Sequence, residues 1–398
     1  MTDYLIVGNG AAGTYAAEAV RKQDANGRIT ITTEEDLVFY YRIQLNEYIA
    51  GDLKEGELVA KKSQWYEAQN IDLKISTTIT GADPEKKILI TADNQQMGYD
   101  KLLVATGSHA FVPPIKGSDK PGVFSLRSIQ DARDIAAWTQ NVEQVTLIGG
   151  GLLGLEAGNA LRKLGKQVTV VEFFPRLLPR QLDLDGAGRL QKIMEDMGFS
   201  FRLGAKTQEI SSQDGAGGVL LEGGETLPAE MVVISAGVRP NMELAEPLGL
   251  KHDKGIQVDE HLQTSEPHIY AAGDVAEFRG MPYGIWPAAM EQGKIAGTNM
   301  AGGDLRYDGT TMANSLKVVG VDLASAGNID AEKELDSRVF THEDVYRKIV
   351  FENDRIVGCI MLGDIRGFNQ VTKAMGEKKD LSAYKDAILA EGFDFKHL

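Results

Sequence analysis

Residues Tyr4–Gly13, YLIVGNGAAG, read as an apolar strand that runs into Gly8-x-Gly10-x-x-Gly13. In such a turn the first glycine permits the tight exit from the strand, the second lets a pyrophosphate approach the backbone, and the third lets the following helix pack on the strand. That helix, Ala11 to Lys22, is apolar on one face, and its free N-terminal N–H groups and dipole favour an anion. The next strand, Arg28 to Thr33, ends in Glu34 and Glu35, and an acid at that place can bind ribose hydroxyls. Strand, glycines, helix and acid together predict a dinucleotide site built from Gly8, Gly10, Ala11, Ala12, Gly13 and Glu34.

The same order of signals returns later in the chain. Gln144 to Ile148 is an apolar strand, Gly149-Gly150-Gly151-Leu152-Leu153-Gly154 follows, and the helix Leu155 to Leu164 stops at Gly165. The strand Gln167 to Val171 then ends in Glu172, an acid placed to accept from the 2′-hydroxyl of NADH and to repel the 2′-phosphate of NADPH, with Arg176 and Arg180 close behind. Each unit closes on a strand and a small-residue turn, Lys101 to Ala105 into Ala105-Thr106-Gly107, and Glu230 to Ile234 into Ser235-Ala236-Gly237. Two dinucleotide modules in one chain are expected, with the paired prolines of His109 to Pro114 marking the first boundary. The fold class is therefore α/β, with two Rossmann-like domains, residues 112–237 inserted between 1–111 and 238–311, and a small α+β domain at 312–398.

Around these units lie more local signals. Leu37 to Gly51, LVFYYRIQLNEYIAG, is read either as the lining of a flat ligand or as a core helix with two surface-facing tyrosines. Strands are expected at Asp72 to Ile79 and Lys87 to Thr91, a helix at Leu184 to Met197, and a Gly-rich hairpin at Gln213 to Thr226. HIYAAGDVA, His268 to Ala276, is a strand ending in Gly273-Asp274, and a buried carboxylate there needs a hydrogen-bonding partner that a polyol chain would supply. Trp286 and Pro287 precede the helix Ala288 to Met300. The last part alternates strands (Ser315 to Leu323, Tyr346 to Glu352, Arg355 to Leu362) with helices expected at Asn369 to Gly376 and Leu381 to Leu389.

Composition narrows the function classes. A net charge of −15 over 398 residues argues against a general binder of nucleic acid or anionic membranes. No run of roughly 18 apolar residues suggests a membrane span, and the N-terminus lacks a basic and apolar leader, so the cytoplasm is the expected compartment. The single cysteine, Cys359, lies in an apolar run and is expected to be a buried thiol, which excludes a two-cysteine redox centre within the chain. No metal-ligand pattern is read.

GNGAAG, LLVATGS, VTLIGGGLLGLE, VISAGVRPN and YAAGDVAE, in this order and spacing, resemble the two-dinucleotide pyridine nucleotide-dependent flavoproteins from Tyr4 to about Gly303. Within them FYYRIQLNE, LLPRQLD and SLKVVGVDLASAG resemble NADH:rubredoxin oxidoreductases and the flavin module of nitrite reductase large subunits. The resemblance implies FAD in the first module, NADH in the second, and a C-terminal domain covering one side of the flavin. It implies FAD contacts from Gly8, Gly10, Ala11, Ala12, Gly13, Glu34, Arg42, Ile79, Ala105, Thr106, Gly107, Arg127, Gly273, Asp274, Trp286, Pro287 and Ala288. For NADH it implies Gly149, Gly151, Leu152, Leu153, Gly154, Glu156, Glu172, Phe173 and Gly237, with Glu47 and Glu156 as catalytic positions. Relatives that reduce disulfides carry a cysteine near Ile43, absent here, and others carry a lysine where Glu47 aligns. In these flavoproteins NADH gives a hydride to the flavin, which then releases single electrons. Trp286 and Pro287 either aim a helix N-terminus at the flavin or cap a packing helix. Three function classes follow: an NADH-dependent reductase of rubredoxin or ferredoxin, a flavin subunit docked on an iron–sulfur or molybdenum/tungsten enzyme, or a flavin redox sensor. For the first of these, Lys317 and Arg42 are expected near the electron exit, the alternatives being a solvated lysine and an arginine bound only to FAD phosphate.

Overall fold

The computed structural model describes residues 1–211, 217–310, 313–390 and 392–398, with backbone alone for 313–318. The chain forms two compact units. The first comprises Met1–Ala110, Arg127–Ile129 and Val238–Thr310. Its main sheet is wholly parallel, in the spatial order Ile269–Ala271, Lys101–Val104, Asp3–Val7, Arg28–Thr32 and Ile71–Lys74. The central strands are runs of Leu, Ile and Val buried on both faces, as a parallel sheet covered on each side requires. The strands Ser108–Ala110 and Val238–Pro240, where the chain leaves and re-enters this unit, pair antiparallel. The expected linker thus begins as a two-stranded ribbon.

Two helices of this unit meet backbone to backbone. Ala11–Gln23 presents Ala12 and Ala16, and Trp286–Met300 presents Gly293 and Gly297 one turn apart. A Cβ added at Gly293 would lie 2.3 Å from the Ala12 carbonyl oxygen, and one at Gly297 would lie 2.2 Å from that of Ala16. Only glycine allows this approach, and it fixes the start of the second helix relative to the first glycine turn.

The second unit comprises Phe111–Leu126, Gln130–Gly237 and Thr311–Leu398. Its parallel sheet, Ser200–Leu203, Gln167–Glu172, Gln144–Ile148, Met231–Ile234 and Val123–Ser125, repeats the first unit's architecture. The C-terminal region has its own antiparallel sheet, Ala313–Val318, Val321–Gly327, Arg355–Leu362, Val345–Glu352 and Asp336–His342, with the helix Phe368–Gly376 in its core. By contacts it falls in the same unit as the inserted module. A buried network joins them. Asp183, the N-cap of the helix Leu184–Asp196, takes hydrogen bonds from the Tyr346 hydroxyl (2.7 Å) and the Lys348 ammonium (3.2 Å).

Several local expectations change. Asp72 to Ile79 is not one strand: Ile71–Lys74 joins the parallel sheet, Ser76 turns with a positive φ, and Ile79–Asp83 pairs antiparallel with Ile88–Thr91. HIYAAGDVA divides into Ile269–Ala271 and Ala276–Phe278 around the Gly273-Asp274 turn. Leu381 to Leu389 is a chain of turns closed mostly by i→i−3 bonds, with Leu381 and Ile388 anchored in the core. Leu37 to Gly51 holds a 3-10 turn, Arg42–Gln44, and a short helix, Leu45–Ile49; Tyr40 is buried and Tyr41 exposed. In the Gly-rich hairpin Gly218–Leu221 pairs with Thr226–Pro228, while residues 212–216, and the side chain of Lys317, lie outside the described residues. Among the described residues no helix is long and apolar enough to cross a membrane.

Candidate dinucleotide sites

The two glycine turns share the same backbone conformation and close approaches. Gly8 has φ +114° and Gly149 φ +116°, values that L side chains rarely adopt. A Cβ at Gly8 would meet the Ala105 oxygen at 2.1 Å, and one at Gly149 the Ser235 oxygen at 2.2 Å. Each turn is therefore pressed against the strand end that closes its own module. Gly13 and Gly154 approach the carbonyls of Gly8 and Gly149 in the same way. By contrast, a Cβ at Gly10 or Gly151 would meet nothing within 4 Å, and neither following helix has a side-chain cap. Open space before uncapped N–H groups, at Ala11 and Ala12 in one module and Leu152 and Leu153 in the other, fits a diphosphate.

In the first unit the strand ends converge on the turn. Ala105 is buried, Thr106 exchanges hydrogen bonds with Asn241 (Oγ1 to the carbonyl, 2.8 Å; Asn241 Nδ2 to the Thr106 carbonyl, 2.9 Å), and Gly107 follows in the left-handed region. Asp274 does have protein partners, contrary to the sequence expectation. Its Oδ2 accepts from Ser108 Oγ (2.7 Å) and pairs with Arg127 (2.6 Å), both far away in sequence. Its turn is held from behind: Gln292, fully buried on the helix Trp286–Met300, accepts from the Gly273 N–H at 2.8 Å. Arg42 forms an ion pair with Glu35, whose other oxygen takes the Tyr40 hydroxyl (2.7 Å), while Glu34 is exposed at the strand end. Burial pushes the Tyr40 hydroxyl well above the ordinary phenol range, so it stays a donor.

Trp286 opens its helix and packs on Phe39 (centroids 5.6 Å apart, 19° between planes) and on Tyr41 (5.9 Å). Pro287 occupies the first turn, Ala288 is buried, and the helix starts two residues before the expected Ala288. Ile79 is half-buried at the start of the strand Ile79–Asp83. Glu47, in the short helix after Arg42, keeps one carboxylate oxygen enclosed and without a hydrogen-bond partner.

The second unit differs in its acid. Glu172 is buried, and its two oxygens accept from the Gly150 N–H (2.6 Å) and the Phe174 N–H (2.8 Å), so it braces the turn from within. Phe173 and Phe174, beside it, are exposed and perpendicular to one another. Arg176 is turned inward, bonded to the carbonyls of Leu182 (3.1 Å) and Pro179 (3.2 Å), which leaves Arg180 as the exposed arginine of the pair. Gly237 takes φ +99° at the closing turn. Glu156 accepts from the Val319 N–H (2.7 Å) at the hairpin tip of the C-terminal sheet, a contact its catalytic reading did not foresee.

Residues 2–293 match the model of the pyridine nucleotide-disulphide oxidoreductases. The chain belongs to this family. Members of the pyridine nucleotide-disulphide oxidoreductase family use FAD and NAD(P)H. Residues 313–388 match the rubredoxin NAD+ reductase C-terminal domain. The chain is 32% identical over 392 residues to the NADH-rubredoxin oxidoreductase of Clostridium acetobutylicum, covering 98% of each. The crystal structure of NADH:rubredoxin oxidoreductase from that organism aligns with a TM-score of 0.83 and 30% identity, covering 96% of both chains. It is 37% identical over 384 residues to a nitrite reductase [NAD(P)H] of Bacillus subtilis, covering 95% of this chain and 48% of that one. The chain thus spans about half the length of the nitrite and nitrate reductase relatives it matches.

Sequence reading passed over Asn9, Ser108, Tyr66 and Gln292. A glutamine on an otherwise apolar helix face, and a serine directly after Ala-Thr-Gly, were the signals available. Cys359 is buried in the C-terminal core, and burial pushes its thiol up to about 12.

Proposed function

We propose that this chain is an FAD-containing, NADH-dependent oxidoreductase of the cytoplasm that passes electrons to a one-electron iron or iron–sulfur protein such as rubredoxin or ferredoxin. The observation that carries the reading is the pairing of two complete dinucleotide turns with a single thiol that is buried and held neutral. A pyridine nucleotide delivers electrons in pairs, and no disulfide can form within this chain to take them. The likeness to NADH-rubredoxin oxidoreductase over nearly the whole length supports the acceptor class. The match to a nitrite reductase at twice the length favours a second reading, in which the same module is docked on metal-bearing domains or subunits.

Bound FAD would supply the conversion between paired and single electrons. The turn Gly8–Gly13 and the N-terminus of Ala11–Gln23 hold its diphosphate, Glu34 its ribose, and Asp274, oriented by Arg127 and Ser108, its polyol chain. Arg42, Ile79, Ala105, Thr106 and Gly107 line the same strand ends. The uncapped N-terminus at Trp286, Pro287 and Ala288 places a positive helix end where negative charge can be stabilised, by about 0.3–2 kcal/mol. Glu47, whose enclosed Oε2 has no hydrogen-bond partner, is the carboxylate that would hold or move a proton beside a bound flavin. In the second module Gly149, Gly151, Leu152, Leu153, Gly154 and Gly237 receive NADH. Phe173 flanks its adenosine half, and Glu156 sits on the first helix after the turn.

The deciding measurement is anaerobic rapid mixing of the full chain with NADH and then with rubredoxin or ferredoxin. Flavin bleaching followed by reduction of the metal protein is expected, unchanged in Cys359→Ser and slowed roughly 10²-fold in Glu47→Gln. Efficient reduction of a disulfide such as oxidised glutathione, or loss of metal-protein reduction in Cys359→Ser with flavin retained, overturns the reading. Bleaching without transfer to either free protein favours the docked module.

Glu172 braces the turn and opposes a 2′-phosphate with no freed Arg176 to compensate. Glu172→Gln should therefore narrow the preference for NADH over NADPH by about 1–2 kcal/mol through lost repulsion, while the weaker turn lowers kcat/KM for both nucleotides alike. The ratio of kcat/KM for the two nucleotides checks this, and an unchanged ratio removes Glu172 from specificity.

A further inference from the structure

The two turns differ at their second position, and the difference has a direction. In the strand register Val7 and Ile148 are equivalent, so Asn9 stands where the second module has Gly150. Gly150 gives its N–H to Glu172 and brings no side chain. Asn9 brings a carboxamide that is 93% buried, being 7% exposed.

Two hydroxyls set its orientation. The Tyr66 hydroxyl, 2% exposed, accepts from the Phe39 N–H at 3.2 Å. The hydroxyl gives its own proton to Asn9 Oδ1 at 3.0 Å. The oxygen of the carboxamide faces Tyr66, and the fully buried Thr14 hydroxyl also donates to it at 3.3 Å. Burial pushes the Tyr66 hydroxyl up, which keeps it protonated and donating. The amide nitrogen is thereby turned the other way, and Nδ2 is enclosed with no hydrogen-bond partner in the protein. An enclosed amide donor left unpaired is costly, and this one belongs to the residue between Gly8 and Gly10, beside the uncapped helix N-terminus.

Resting on the reading that FAD occupies the first module, we infer that Asn9 is a side-chain ligand of the flavin dinucleotide's pyrophosphate, donating its Nδ2 N–H groups to phosphoryl oxygens. Tyr66 and Thr14 are its positioning residues. The second module offers backbone donors only at the same place. The first dinucleotide is thus held by more donors than the second, which suits a resident flavin in one site and an exchanging nicotinamide nucleotide in the other.

The test uses full-length apoprotein reconstituted with FAD. Asn9→Asp keeps an oxygen for Tyr66 and Thr14 but removes the donors and faces the phosphates with a carboxylate. Tyr66→Phe removes only the proton that fixes the amide. Fluorescence titration should show FAD Kd raised about 100-fold or more in Asn9→Asp and about 10-fold in Tyr66→Phe, with Kd for NADH unchanged. The phosphorus NMR shifts of bound FAD should move in both variants. Wild-type protein that takes up no FAD sinks the flavin reading itself. Wild-type uptake with unchanged Kd and unchanged phosphorus shifts in both variants sinks the role of Asn9 alone. Should Asn9→Asp not fold, Tyr66→Phe decides by the same two readouts.

Discussion

Asp183→Ala is expected to destabilise the protein by about 3–5 kcal/mol, the usual cost of leaving a buried charge without its partner. Asp183 is fully buried, and its other oxygen accepts from the Gly186 N–H at 3.0 Å, so the substitution also uncaps a helix at a further cost of about 1 kcal/mol. Lys348, 2% exposed, would keep only Asp330, through its carbonyl at 2.8 Å and its carboxylate at 3.8 Å. Adding Lys348→Met should recover most of the loss, because an apolar side chain of similar length removes the stranded charge. Urea unfolding of the wild type, the single variant and the double variant checks this. If the double variant is no more stable than Asp183→Ala, the ion pair is not the source of the effect. Because the network joins the inserted module to the C-terminal sheet, the loss should appear as earlier unfolding of that sheet, followed by hydrogen exchange at Val345–Glu352.

Asp274→Ala is expected to yield protein that purifies largely colourless, with FAD binding weakened by about 2–4 kcal/mol, or roughly 30- to 1000-fold. The carboxylate is fixed from two sides by Ser108 and Arg127, and the Gly273 N–H below it is held by Gln292. A preorganised acceptor of that kind gives more affinity than a mobile one, since little ordering remains to be done on binding. Ser108→Ala should weaken flavin binding by a smaller step, about 0.5–1.5 kcal/mol, by removing one hydrogen bond. Visible absorbance per chain and equilibrium titration of the apoprotein are the readouts. Full flavin occupancy in Asp274→Ala would remove it from the site.

The parallel strands and both glycine turns were legible because backbone geometry alone dictates them: the collisions a Cβ would make at Gly8 and Gly149 select glycine without reference to the remote sequence. The helix contact through Gly293 and Gly297 had a similar signature and was passed over. What could not be read were choices of partner. Whether Glu172 faces outward or turns in to Gly150 and Phe174 depends on the loop after the strand. Asp274 finds Arg127 across 147 residues, a distance no periodicity encodes. Lys348 lies in a strand, and its charged side chain is buried because Asp183 supplies a counter-charge from another part of the chain. Leu381–Leu389 has helical spacing, but its two buried anchors are satisfied by successive turns.

The contact of Gly293 and Gly297 with Ala12 and Ala16 has a consequence for biosynthesis. The face of the first helix that carries those alanines gains its partner helix only once the ribosome has released residues up to about Met300. Residues 112–237, translated in between, contain every strand of their own parallel sheet and can collapse while the first sheet still lacks Ile269–Ala271. The segment translated first therefore completes its packing late, and a nascent chain arrested before Trp286 would leave that helix face without its partner helix.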